Sequence, residues 1–297
     1  MLPNFLIIGA ARAGTTLLYR ITKQHPDVFL SEPKELRFFA KEGAPDFRGP
    51  GDQGVNNGWV TNWDDYQSHF ATVNGETAIG EASPFYLCSE EAPQRIKSHL
   101  PDAKLVMVLR DPVSRAHSSF MYLRRSGREP LADFAAALEA EDERRKDNWE
   151  YLWHYRTLGL YSGQVERYFK LFPREQIWIG LYDDLDEDPV NFAKSVYRHI
   201  GVDDSFAPKV HSRTNASGEP RSLFLQRTLD KQNPIRALAR KLVPQKYRKP
   251  IRVALTAQNL QRSDAPSETE KELRAFFRTD VERLEQLIDR DLSAWKV

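Results

Sequence analysis

Cysteine is the scarcest reactive residue in this chain: Cys88 stands alone among 297 residues. One cysteine permits no intrachain disulfide and no cysteine-rich metal site. It reads as a small, apolar, half-buried side chain. The seven histidines are scattered and show no paired spacing such as HExxH, so no metal site is expected. No apolar run approaches the ~20 residues a membrane helix needs. The opening Met-Leu-Pro-Asn lacks the basic start, apolar stretch and small-residue cleavage site of a signal peptide. These absences lead to the expectation of a cytoplasmic protein without integral membrane contact. An excess of one charge is missing too: 43 Lys and Arg face 42 Asp and Glu, a net charge of +1. That excludes nucleic-acid binding through bulk charge, and no nucleic-acid partner is expected. Internal repeats are absent. What remains, 40% hydrophobic and 29% charged residues, is ordinary for a globular protein.

Strand and helix signals alternate along the chain. FLIIGA (5–10) is short, apolar and partly β-branched, as a buried parallel strand should be, and a helical pattern follows to about Gln24. KLVMVL (104–109) ends at Arg110-Asp111-Pro112. There Asp111 is placed to cap a helix that has Pro112 in its first turn and runs to about Arg125. IWIGLY (177–182) lies between a helix around 162–171 and another starting near Pro189. This alternation predicts an α/β fold, a P-loop-like three-layer α/β/α architecture around a mostly parallel sheet. Residues 43–66 show little periodicity and read as a long loop; 207–222 read as another, and 232–250 as a basic connection. The stretch 267–295 is amphipathic, a helix or helix pair, with Ser267 and Glu270 at capping-box spacing. Its apolar stripe is Leu273, Phe276, Phe277, Leu284, Leu287 and Ile288. One domain spanning 1–297 is expected, with its core at about 4–222 and a helical C-terminal extension at about 223–297.

The strand–GAARAGTT–helix arrangement (9–16) carries the strongest chemical signal. Its glycines allow a tight turn, and loop amides together with a helix N-terminus form an anion site. The spacing resembles GxxxxGK[ST], but Thr15 stands where that pattern has lysine. A triphosphatase needs that lysine on the β- and γ-phosphates. Here the cation is Arg12, inside the loop, which suits one phosphate or phosphosulfate. Arg110 leaves the carboxyl end of a strand, where open α/β sheets bind ligands. Ser118, eight positions on, lies about two helical turns into the next helix. Together they suit a second phosphate, and two sites on one sheet edge suit a nucleotide phosphorylated at 3′ and 5′. The alternative is an ion-paired arginine beside a solvated serine.

Six segments in order resemble the PAPS-dependent sulfotransferase family, in the branch of bacterial sulfotransferases and heparan sulfate N- and O-sulfotransferases. They are GAARAGTT, SEPKELRFFA (31–40), GEASPFYL (80–87), KLVMVLRDPVSRAHSSF (104–120), LGLYSGQVERYFKLFPREQIWIGLYDDLDEDP (158–189) and NASGEPRS (215–222). Beyond about residue 230 the resemblance ends. It implies that 3′-phosphoadenosine-5′-phosphosulfate (PAPS) is the cofactor, leaving as 3′-phosphoadenosine-5′-phosphate (PAP). Arg12, Ala13, Gly14, Thr15 and Thr16 would hold the 5′-phosphosulfate, and Arg110 and Ser118 the 3′-phosphate. Ser217, Gly218 and Arg221 would lie in a loop closing over the cofactor, and Glu35 matches the catalytic base. The acceptor would be a carbohydrate or small molecule bearing a hydroxyl or amine.

Three departures from the family pattern stand out. Arg12 replaces the usual lysine, so it is expected to stabilise charge rather than donate a proton. Arg37 stands where some members have histidine, and Ser217 replaces a cation that Arg221 would supply. Burial is expected to raise the Glu35 pKa toward a useful base; the alternative is a surface glutamate paired with Lys34 or Lys41. Phe38, Phe39, Phe85, Tyr86, Trp149 and Trp153 read mainly as core. A nucleotide or small-molecule kinase with a degenerate P-loop, and a non-catalytic nucleotide-binding protein, remain open alternatives.

Overall fold

The computed structural model describes residues 1–210 and 266–297, with the backbone of 219–220 and 260–261. Five parallel strands form the central sheet: β1 (Phe5–Gly9), β2 (Val28–Leu30), β3 (Ala78–Ala82), β4 (Lys104–Leu109) and β5 (Ile177–Leu181). Their order is β2-β3-β1-β4-β5. The chain therefore moves from β1 to one side and from β3 back across β1 to the other. Right-handed crossovers in opposite directions place the connecting helices on opposite faces of the sheet. Every residue of β1 and β3 is buried, as a sheet covered on both faces requires. The carboxyl end of β1 lies at the switch of direction, where such sheets bind ligands.

Helix α1 (Thr15–Thr22) follows β1, α4 (Ala92–His99) joins β3 to β4, and α5 (Pro112–Arg125) follows β4. Asp111 caps α5 by accepting from the Val113 N–H at 3.2 Å, as its position before Pro112 predicts. Two short helices, α6 (Phe134–Glu139) and α7 (Glu141–Lys146), lead to α8 (Tyr161–Phe169). After β5 come α9 (Tyr182–Glu187) and α10 (Pro189–Ile200). Helix α10 packs on α1, and the Tyr197 hydroxyl donates to the Ile21 carbonyl at 3.0 Å. Tyr182 thus opens a helix instead of ending a strand.

Residues 43–66 are not one loop. They contain α2 (Asp52–Asn56) and the start of α3 (Trp63–Ser68), both too short and polar to show periodicity. Buried Asp52 anchors the segment, accepting from the Gly49 N–H at 2.7 Å and the Glu150 N–H at 3.0 Å, and it pairs with Arg128. Strands β2 and β3 escaped the sequence pattern because one has three residues and the other contains Gly80 and Glu81.

The C-terminal amphipathic stretch is one helix, α11 (Ser267–Ile288), and it packs on α8 and α5. Its capping box does not form: Pro266 occupies the cap position, Ser267 is already helical, and no side chain caps the end. Leu273, Phe277, Leu284 and Ile288 are buried with Val281, whereas Phe276 is 47% exposed and Leu287 only partly buried. A buried stripe at 273, 277, 281, 284 and 288 follows the helical repeat, and Phe276 lies beside it. Phe277 packs where Gly159 has no side chain; a Cβ there would sit 2.7 Å from its ring. The basic stretch 232–250 and most of the 207–222 loop fall outside the described residues.

Candidate active site

The phosphate loop leaves β1 through a register shift between Ile7 and Gly9, a bulge that re-aims the chain. Gly14 precedes α1 at φ +87°, and no side chain caps the helix. A Cβ on Gly14 would stand 2.9 Å from Leu185 and from the Tyr182 ring, so both conformation and space demand glycine. The first amides bonded within α1 are those of Leu17 and Leu18, which donate to the Gly14 carbonyl at 2.9 and 3.1 Å, so Thr15 and Thr16 stand ahead of them at an open helix N-terminus.

Arg12 adopts φ +70° and directs its guanidinium across the sheet edge toward α5. Its Nε and Nη2 donate to Ser118 Oγ at 3.3 and 3.2 Å, and its guanidinium lies 4.7 Å from the Tyr122 ring centre. Arg110 Nη1 donates to the Arg12 carbonyl at 3.3 Å, and Arg110 stacks over Tyr182 at 4.5 Å. Arg12, Ser118 and Arg110 thus form one hydrogen-bonded group. Burial, with the like charges of Arg125, Arg110 and Arg115, lowers the Arg12 pKa to about 10. It stays charged at neutral pH. Arg115 is fully buried, and its Nε and Nη1 lack hydrogen-bond partners. The Arg12 and Arg110 guanidinium groups, with Ser118, stand at the loop that leads into an uncapped helix end, a combination that fits a multiply charged phosphate ester.

Glu35 lies on the other side of the switch point. Its N–H donates to the Ala82 carbonyl at 3.0 Å, and the Arg37 N–H donates to Ser83 Oγ at 2.9 Å. These bonds hold Glu35 and Arg37 at φ +73° and +60°. Left-handed backbone at such residues costs of order 1–3 kcal/mol each and is concentrated at functional sites. The Glu35 carboxylate pairs with Lys34 Nζ through one oxygen and Arg37 Nη2 through the other, each at 2.6 Å. Arg37 also lies over the Phe85 ring at 5.6 Å. Burial pushes the Glu35 carboxyl up, but Lys34 and Arg37 outweigh it and the net shift is downward. The expected rise is thus reversed, because two ion pairs accompany the burial. Lys41 does not share in the pairing; it bonds Asp46. In β3, burial holds the Glu81 carboxyl up at about 8.

A family model described as "Sulfotransferase family" matches residues 3–206. The chain belongs to the sulfotransferase family. A crystal structure of a sulfotransferase from Alicyclobacillus acidocaldarius is similar over the whole of both chains, with 36% identity and a TM-score of 0.78. Human bifunctional heparan sulfate N-deacetylase/N-sulfotransferase 3 is 29% identical over 211 residues, covering 68% of this chain and 22% of that protein. The membrane-associated sulfotransferase kil1 of Dictyostelium discoideum is 31% identical over 137 residues, 44% of this chain and 26% of that one. This chain thus spans less than a third of either relative's length.

In this family member the structure gathers Arg12, Gly14, Thr15, Arg110 and Ser118 at one sheet edge. Ser217, Gly218 and Arg221 lie outside the described residues. Phe38, Phe39, Phe85, Tyr86 and Trp153 are core, and Trp149 is partly buried against Trp153. Cys88 donates its thiol to the Phe85 carbonyl at 3.3 Å, and burial pushes its pKa up to about 12. Sequence reading missed Tyr122, Arg125 and Tyr182. Tyr122 was legible in principle, since it sits four residues after Ser118 on the same face of α5. Among the described residues no helix is long and apolar enough to cross a membrane, and no cluster of His, Cys, Asp or Glu is placed to hold a metal ion.

Proposed function

We propose that this protein transfers a sulfuryl group from PAPS to a hydroxyl or amine of a carbohydrate or small-molecule acceptor. One observation carries the reading: Arg12, Arg110 and Ser118 are hydrogen-bonded together at a loop that opens a helix with threonine, not lysine, at position 15. Arg12, Ala13, Gly14, Thr15 and Thr16 would hold the 5′-phosphosulfate, and Arg110 and Ser118 the 3′-phosphate. The resemblance to the family also assigns Ser217, Gly218 and Arg221 to the donor. Bound PAPS supplies the sulfuryl group and departs as PAP. Arg12, still protonated at neutral pH, stabilises the negative charge that grows on the departing phosphate. Glu35, ionised because Lys34 and Arg37 hold its carboxylate, receives the acceptor's proton as the new bond to sulfur forms, then releases it to water. The pairing with α5 and α8 leads us to read α11 and the sheet as parts of one domain spanning 1–297.

Calorimetric titration with PAP, and separately with ATP with and without magnesium, tests the reading. The expected result is PAP binding without magnesium, weaker ATP binding, and loss of PAP affinity in Arg110→Ala. Binding of ATP with magnesium and none of PAP would favour a kinase and overturn the proposal.

A further inference from the structure

We propose that the C-terminal segment, residues 266–297, is a positioning element of the donor site that keeps Arg110 available for the 3′-phosphate. The inference rests on reading Arg110 as that anchor. The segment lies wholly outside the residues matched by the family model, which end at 206. It nevertheless grips the supports of Arg110 from two directions.

The first grip is on Asp111, the residue after Arg110. Arg274 on α11 donates to both carboxylate oxygens, Nη1 to Oδ1 at 2.9 Å and Nη2 to Oδ2 at 3.1 Å. Arg274 is itself fixed by the Trp295 carbonyl at 2.9 Å and by Glu270 at 3.1 Å. Asp111 is buried. Without Arg274, the nearest cation in sequence to its charge is Arg110. By neutralising Asp111 through a bidentate pair, Arg274 leaves the Arg110 guanidinium to an outside anion. The second grip is on α9, whose first residue, Tyr182, lies beneath the Arg110 guanidinium. Trp295 Nε1 donates to Asp183 at 3.4 Å, and Arg290 donates to Asp184 at 2.9 Å.

The test compares two ligands that differ only at the 3′ position, PAP and AMP, on the full chain. Arg274→Met should weaken PAP about tenfold, the equivalent of roughly 1.4 kcal/mol, while AMP changes by less than about twofold. Arg274→Lys should recover part of the loss. In an Arg110→Ala background Arg274→Met should add nothing, because the two residues act as one unit. Trp295→Phe and Arg290→Met keep most of the packing and should weaken PAP by about two- to fourfold, again without affecting AMP. They carry the test if Arg274→Met unfolds. Equal losses for PAP and AMP, unchanged PAP affinity in all variants, or full additivity with Arg110→Ala would overturn the inference while leaving the sulfotransferase reading intact. Failure of the unaltered protein to bind PAP would sink that reading instead.

Discussion

Removing one of the two cations that hold Glu35 should raise its pKa. Each of Lys34 and Arg37 makes a charge-assisted hydrogen bond of 2.6 Å to a different carboxylate oxygen. A hydrogen bond to a charged group contributes about 1.5–3 kcal/mol, and 1.36 kcal/mol corresponds to one pKa unit. The Glu35 side chain is 26% exposed, so solvent screens the pair only in part. With both cations present, the net shift is below the ordinary ~4.3 of a glutamate. With one gone, burial is opposed by a single partner and the carboxyl should titrate higher than in the unaltered protein. Lys34→Met and Arg37→Gln are the perturbations. Carboxyl carbon NMR, with Glu35→Gln used to assign the resonance, reads the titration without knowledge of the acceptor. The sign for stability follows. A carboxyl lowered on folding contributes stability above its unfolded pKa, which is lost as pH falls through the folded value. In both variants that contribution shrinks, so the stability deficit against the unaltered protein should be widest near neutral pH and close as pH falls. A Glu35 resonance titrating above about 4.3 in the unaltered protein, or unmoved in either variant, would refute the clamp. Glu35→Gln should abolish most turnover and leave PAP binding intact; undiminished turnover would remove Glu35 from the chemistry.

Two further outcomes are expected. Gly14→Ala combines a left-handed backbone at φ +87° with a Cβ 2.9 Å from Leu185 and Tyr182. Strain of about 1–2 kcal/mol and overpacking of about 1–3 kcal/mol should lower the urea midpoint and abolish PAP binding; a midpoint like that of the unaltered protein would show that the loop yields freely. Glu81 is raised to about 8 by burial, so its contribution to stability is complete below its unfolded pKa near 4.3 and is lost as pH rises through about 8. Glu81→Gln should flatten the pH dependence of unfolding across that window, and an unchanged slope would place the titrating group elsewhere.

Sequence alone determined the elements whose signals are local. FLIIGA leading into GAARAGTT, the Asp111-Pro112 opening of α5, and the apolar repeat of α11 each depend on neighbours within a turn or two. Such signals survive because backbone bonds and caps within an element join residues a few positions apart. The family's motifs likewise named Arg12, Arg110, Ser118 and Glu35 before any geometry was known. Only the tertiary structure decided how they meet. Arg12 reaches Ser118 across 106 positions, and Arg274 reaches Asp111 across 163. Neither distance leaves a periodic trace, because crossovers and burial set both. The capping box at Ser267 failed because the helix begins one residue earlier than its cap signal, with Pro266 at the cap position. The direction of the Glu35 shift also belonged to the fold. Composition shows a glutamate among cations, but left-handed backbone at Glu35 and Arg37, fixed by bonds to Ala82 and Ser83, turned both cations onto its two oxygens.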